Sequence, residues 1–441
     1  MWTNWSGSVS ARPGRVARPD SEAAIAAVLR EAGAAGKSVR CVGAGHSFTP
    51  IAASDDVMIS LDAYQGIAAI DAAAGRATLK AGTRLFQLGK ALAEAGLAME
   101  NLGDINVQSI AGATSTGTHG TGVAFGNLAT QIAGFRLVTP AGEVVDANAD
   151  TNPELFAGGR VALGTLGVLS EITMRLVPAY RLHLQRAPMP FEACLAQAPA
   201  KIASHRHFEF YWFPHTETVQ IKSWDATEAP ALPAGMQRYI TEVLLENTVF
   251  GALCKIAKAF PASCPALGRF IGGSLDTTSR VDDNYSVLST VRSVKFNEME
   301  WALPADRGLD ALREIKDFVN RTRVQTMFPI EVRWVRGDDI WISPHYGRDS
   351  IAISVHQYQG MPYDAYFDAV QAIARNHSGR PHWGKIHGLR GKDFEALYPR
   401  WQDFLALRER MDPQGTMLTP YLRALFGLQH SRDAADLARA A

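Results

Sequence analysis

The chemistry-bearing residues of this chain concentrate in four short stretches. Gly43-Ala44-Gly45-His46-Ser47 follows Val39 to Val42, an apolar run with the length and composition of a strand. Glycines let a backbone come close to a phosphate, and His46 is either part of such a site or an imidazole that only caps the loop. The second stretch, NLGDINVQSIAGATSTGTHGTG (101–122), is dense in Gly, Ser and Thr and nearly free of charge. Its N–H groups and hydroxyls suit a nest for phosphate oxygens, with Asp104, Ser109, Gly112, Ser115, Thr116, Thr118 and His119 as candidate contacts. An ordinary flexible loop is the alternative, but Ile105, Val107, Ile110 and Ala111 are spaced like packed residues. Two such loops together point to a diphosphate. In the third stretch, PIEVRWVRGDD (329–339), alternation puts Glu331 and Arg333 on one strand face and Val332 and Trp334 on the other. At a surface they are an ordinary ion pair. Facing a pocket, Arg333 can polarise a hydroxyl or carbonyl while Glu331 orients or deprotonates it. The fourth, RPHWGK (380–385), crowds His382, Trp383 and Lys385 into one turn, where His382 and Trp383 also have a plain core reading.

Other chemistries drop out. No glycine completes G-x-G-x-x-G, and Pro50 opposes the helix that a Rossmann nicotinamide site needs. Neither H-E-x-x-H nor G-x-S-x-G occurs, so no metal site and no acyl-enzyme are expected. Lys+Arg and Asp+Glu number 44 each with no basic run, which argues against nucleic acid and membrane insertion and leaves a small molecule as the expected ligand. Cys41, Cys194, Cys254 and Cys264 are scattered without a CxxC pair, and the N-terminus has no apolar signal region; a cytoplasmic protein is expected.

At 441 residues, two or three domains must position these stretches. Helices are expected over Ser21 to Ala32 and Leu85 to Ala95. Strands are expected at VMISLD (57–62), ATLKAG (77–82), IAGFRLVTP (132–140) and GEVVDA (142–147), forming one α+β domain through Pro178. From Leu182 the elements lengthen, with a Pro-rich break at 228–235. Near the end, 380–387 and 411–427 regain the loop character of the first domain, to which the chain is expected to return. Tyr239 to Phe260 is apolar but interrupted by Glu242, Glu246, Asn247, Lys255 and Lys258, as in one or two packed helices; a helix resting on a membrane is the alternative.

Taken in series, NWSG (4–7), VGAGHSF (42–48), STGTHGTG (115–122), LGTLGVLSEIT (163–173), EVRWVRGDD (331–339), SPHYGRDS (343–350), RPHWGK (380–385) and DPQG (412–415) resemble the vanillyl-alcohol-oxidase type of FAD flavoprotein. Within it they are most similar to the sugar 1,4-lactone oxidases, over nearly the whole chain. The resemblance implies a two-domain α+β fold: an FAD-binding domain (1–180), a cap over the flavin (181–378) and a C-terminal segment (379–441) returning to the first domain. It implies FAD attached covalently through His46. Val42, Gly43, Ala44, Gly45 and Ser47, with Ser115 to His119, would wrap the pyrophosphate. Gly164, Gly167 and Val168 would make further cofactor contacts, and Trp383 is counted with them. Glu331, Arg333 and Lys385 match active-site residues, Lys385 stabilising negative charge on the reduced ring. The implied reaction moves hydride from a lactone carbinol carbon to flavin N5, with oxygen or another acceptor reoxidising the flavin. Alditol oxidases share HWGK, the Glu-x-Arg strand and the histidyl loop. Asp104 stands where they tend to carry serine and His356 near where they carry threonine; both are therefore placed at the substrate, and the lactone branch is favoured. From a different class, a flavin-binding protein without turnover is kept as the alternative.

Overall fold

The computed structural model describes residues 1–231, 247–290 and 292–428. In the first part, strand Val57–Ser60 runs parallel between Arg15–Ala17 and Val39–Val42. Parallel neighbours need a crossover, and helix Glu22–Ala34 lies between the two outer strands in sequence. The Ser21 hydroxyl caps that helix by accepting from Ala24 N–H at 3.3 Å. Ile25, Val28, Leu29 and Ala32 recur at helical spacing and pack with Val39, Val57 and Ile59. A five-stranded antiparallel sheet follows, in the order Val144–Asn148, Ile132–Val138, Val168–Arg175, Arg76–Lys80, Ile67–Asp71. Its first hairpin turns through Gly142, at φ +81°.

The rest of the chain builds an eight-stranded sheet in the order Thr278–Asp283, Arg181–Pro190, Thr218–Thr227, His207–Trp212, Ile330–Val335, Ser350–Tyr358, Phe296–Pro304, Arg380–Pro381, every neighbouring pair antiparallel. Antiparallel sheets commonly leave one face wet. Here Ile330–Val335 and His207–Trp212 are buried at every residue. One face is apolar: Phe208, Phe210, Val332, Trp334, Ile351 and Ile353 join a core with helices Phe191–Ser204, Gly308–Thr322 and Asp364–Asn376. The other face carries charged side chains, which burial tolerates only where they are paired.

Beyond Arg380 the chain closes on the first part. Val39 N–H donates to Thr416 O at 2.8 Å, and Met417 joins the core beneath helix Glu22–Ala34. Of the apolar stretch 239–260, Phe250–Ala259 is helical and is followed by helix Cys264–Gly273; 239–246, like the second half of the Pro-rich break (232–235), lies outside the described residues. Among the described residues no helix is long and apolar enough to cross a membrane.

Candidate active site

Two cavities meet at His46. A narrow cleft is lined by Val42 to Ser47, Arg84, Ser109, Gly112, Ser115, Thr116, Gly164, Gly167 and Val168. His46, Ser47, Gln108 and Thr116 also line a chamber of about 510 Å³, whose walls include Asp104, Thr118, His119, Glu331, Arg333, His356, His382 and Lys385. Strand Val39–Val42 ends at the cleft, and no helix follows until the short turn Pro50–Ala52. The glycines are sterically required: a Cβ on Gly43 would lie 2.5 Å from Ser109 Oγ. Arg84, which the sequence reading missed, brings a buried Nη1 without a hydrogen-bond partner to this cleft, while its Nη2 bonds Asp62. An unspent guanidinium N–H beside a glycine-lined backbone fits a diphosphate, and the chamber beyond His46 is wide enough for a planar ring and a small substrate.

Strand register builds the chamber's charged wall. Lys222 opposes Glu209, which opposes Arg333, across three adjacent strands. In the next row Tyr211 opposes Glu331, Glu331 opposes Ser354, and Ser354 opposes Glu300. The contacts follow: Arg333 Nε reaches Glu209 at 2.8 Å and its Nη2 reaches Glu331 at 2.7 Å, while Lys222 Nζ lies 3.2 Å from Glu209. The Tyr211 hydroxyl donates to Glu331 Oε1, the oxygen that also receives Arg333. Burial, with Glu209 and Asp104, raises the Glu331 carboxyl above its usual range despite the opposing pull of Arg333. Asp104 is engaged by Arg292 at 2.8 Å and by the Thr290 hydroxyl at 2.8 Å.

Opposite, Lys385 contacts Glu298, and His356 Nε2 lies 3.5 Å from the same carboxylate. Burial would raise Glu298, but Lys385 and His356 outweigh it and hold the carboxyl below its usual range. His119 Nε2 meets Glu300 at 2.7 Å, and the Ser354 hydroxyl donates to Glu300 at 2.9 Å. Burial, assisted by Lys385, pushes His46 down to about 4, so its imidazole is neutral at pH 7.

Trp383 departs from the expectation of a cofactor contact, because it lines neither cavity. It is fully buried, its Nε1 donates to Ile342 O at 2.6 Å, and its ring stacks on Tyr398 with centroids 5.4 Å apart. The turn directs His382, Gly384 and Lys385 into the chamber and sends Trp383 into the core. Trp383→Ala is therefore expected to cost about 3–5 kcal/mol of stability, read as a fall in the urea midpoint. A variant of unchanged midpoint would contradict the core role.

The model of the D-arabinono-1,4-lactone oxidase family matches residues 172–425, and that of the FAD binding domain matches residues 13–148. The chain is 39% identical over 428 residues to the L-gulono-1,4-lactone dehydrogenase of Mycobacterium tuberculosis, covering 97% of this chain and 99% of that protein. It is 32% identical to the L-gulonolactone oxidase of Bos taurus, over 96% and 97% of the two chains. Among solved structures, cholesterol oxidase from Brevibacterium sterolicum superposes with a TM-score of 0.80 at 16% identity, over 96% of each chain, a likeness of fold.

Proposed function

Because the chain belongs to the D-arabinono-1,4-lactone oxidase family, we propose that it is an FAD-dependent oxidoreductase that oxidises a CH–OH group of an aldono-1,4-lactone of the gulono-, galactono- or arabinono- type, with FAD tethered through His46. The observation that carries this reading is the position of His46, where the glycine-lined cleft opens into the charged chamber. The cleft, with Arg84, takes the diphosphate, and the chamber takes the ring and substrate. When bound, FAD supplies the two-electron oxidant, accepting hydride at N5 from the carbinol carbon. Arg333 binds and polarises the substrate oxygens. Glu331, its Oε1 already occupied by Arg333 and Tyr211, has Oε2 left to accept the hydroxyl proton, and its raised affinity for protons suits a base. Lys385, steadied by Glu298, holds positive charge at the ring. Asp104 and His356 border the substrate. Phe250, Phe296 and Phe328 wall the chamber with apolar surface and limit water. The reading extends to a reducing cytoplasm, supported by four cysteines that are all free.

The test is acid precipitation of the purified protein together with a substrate screen. The flavin fluorescence should stay with the pellet of the native protein and pass into the supernatant for His46→Ala. Lactones should turn over and alditols should not. Retention of the flavin by His46→Ala would remove the tether from this residue, and turnover of alditols alone would move the substrate class.

A further inference from the structure

The N-terminal Asn4-Trp5-Ser6-Gly7 stands outside the charged rows of the chamber, yet it grips the loop that carries His46. Trp5 N–H donates to Gly45 O at 2.8 Å, and Asn4 Nδ2 donates to Ser47 O at 3.0 Å. The carbonyls on both sides of His46 are thus pinned by two consecutive residues. Asn4 is itself buried and fixed, its Oδ1 accepting from Val9 N–H at 3.0 Å. The Trp5 indole then lies on the imidazole of His46, centroids 5.0 Å apart and planes 21° from parallel. Behind the indole, Phe296 meets it edge-on at 5.2 Å, and Gln359 bonds the Ser6 carbonyl, so the grip is anchored in the eight-stranded sheet. Gly45 permits the arrangement: its φ is +69°, and a Cβ there would lie 3.2 Å from the Trp2 ring.

We propose that Asn4 and Trp5 form a positioning clamp that holds the His46 ring for bond formation to the flavin, so that Trp5 governs the rate of covalent attachment. The proposal rests on the reading of His46 as the tether. Stacking covers one face of the imidazole and restricts rotation of its side chain, leaving the ring edge, where the nitrogens lie, for the flavin. In the attachment step a His46 ring nitrogen bonds to the 8α carbon of FAD. One methyl C–H bond and the imidazole N–H bond break, and their two protons and two electrons remain on the flavin as its reduced form. Dioxygen then reoxidises it and leaves as hydrogen peroxide. Burial and Lys385 keep the imidazole neutral, with a lone pair available, at physiological pH.

The test compares full-length protein prepared under riboflavin limitation, charged with added FAD and sampled over time on denaturing gels for protein-bound flavin fluorescence. Trp5→Leu, which keeps apolar volume without a ring, should slow attachment about 10- to 100-fold, the scale on which a loss of near-attack geometry acts. Trp5→Phe should restore most of the rate, and Asn4→Ala should slow it while leaving the indole in place. Reversible uptake of FAD, followed by quenching of its fluorescence, should persist in Trp5→Leu, weakened far less than attachment is slowed, although Trp5 also lines the chamber. If Trp5→Leu or Asn4→Ala attaches flavin at the native rate, or if Trp5→Leu no longer takes up FAD at all, the clamp is overturned. Should the native protein release its flavin into acid, it is instead the tether that fails, and the clamp falls with it.

Discussion

Arg333→Ala is expected to lower kcat/KM on the preferred lactone by about 10²–10³-fold, and to destabilise the protein by about 3–5 kcal/mol, the cost typical of stripping one partner from a buried ion pair. Arg333 joins two buried carboxylates, bonding Glu209 through Nε at 2.8 Å and Glu331 through Nη2 at 2.7 Å. Without it, among the described residues, Glu209 keeps Lys222 and Glu331 keeps the Tyr211 hydroxyl. Two neighbouring carboxylates short of a cation hold their protons more tightly, so Glu331, already raised, moves further up. A base that holds its proton more tightly is free less often, so the residual activity of Arg333→Ala should rise with pH. Arg333→Lys tests the geometry, because an ammonium cannot repeat the guanidinium's two-way fork. It should recover stability better than turnover. Steady-state kinetics and urea unfolding on the same preparations check both halves. Should stability fall while kcat/KM holds, Arg333 is structural and the proposed substrate contact is wrong.

The parts of this site visible in the sequence are those made by neighbours in the chain. The glycine loops at 43–47 and 101–122 declare themselves by composition, and period-2 alternation alone puts Glu331 and Arg333 on one face. Secondary structure was legible for the same reason: the expected strand at 57–62 occupies Val57–Ser60, and the helix expected at 21–32 spans Glu22–Ala34. Glu209, Tyr211, Lys222, Glu298 and Glu300 were missed because cross-strand register brings them to the chamber, and register has no local signature when the partner lies far along the chain. The strand HFEFYW alternates as clearly as EVRW, so the signal for Glu209 and Tyr211 was present but had no partner to point at. Trp383 failed differently. A turn sends adjacent side chains to opposite destinations, and the company of Lys385 was no guide to where an indole would go.

Acid sensitivity should be steep, and its source is a set of histidines buried as neutral rings. Burial pushes His207 and His382 down to about 4 and His387 to about 3, and it holds His345 well below 6.5. In the unfolded chain each titrates near 6.5. The folded pKa is thus the lower one, so their contribution is fully present above pH 6.5 and is lost as pH falls from there through 4, where the unfolded chain binds protons that the folded state refuses. Each histidine contributes up to about 1.4 kcal/mol per pH unit in that window, and four acting together can remove a stability of about 5–15 kcal/mol within a few units. Glu298 and Glu300, held below the usual range by Lys385 and His119, add a loss of the same sign further down. The thermal midpoint should therefore be flat from pH 8 to 7 and fall sharply between 6.5 and 4. His387→Phe isolates one contributor: both ring nitrogens of His387 are buried without partners, and its neighbours include Trp383 and Phe394. The phenyl ring should match the native protein's midpoint at pH 8 or exceed it, and should reduce the slope of the acid limb by the share of one histidine. Parallel native and variant curves down to pH 4 would show that His387 does not resist protonation in the fold, and would leave the acid limb to His207, His345 and His382.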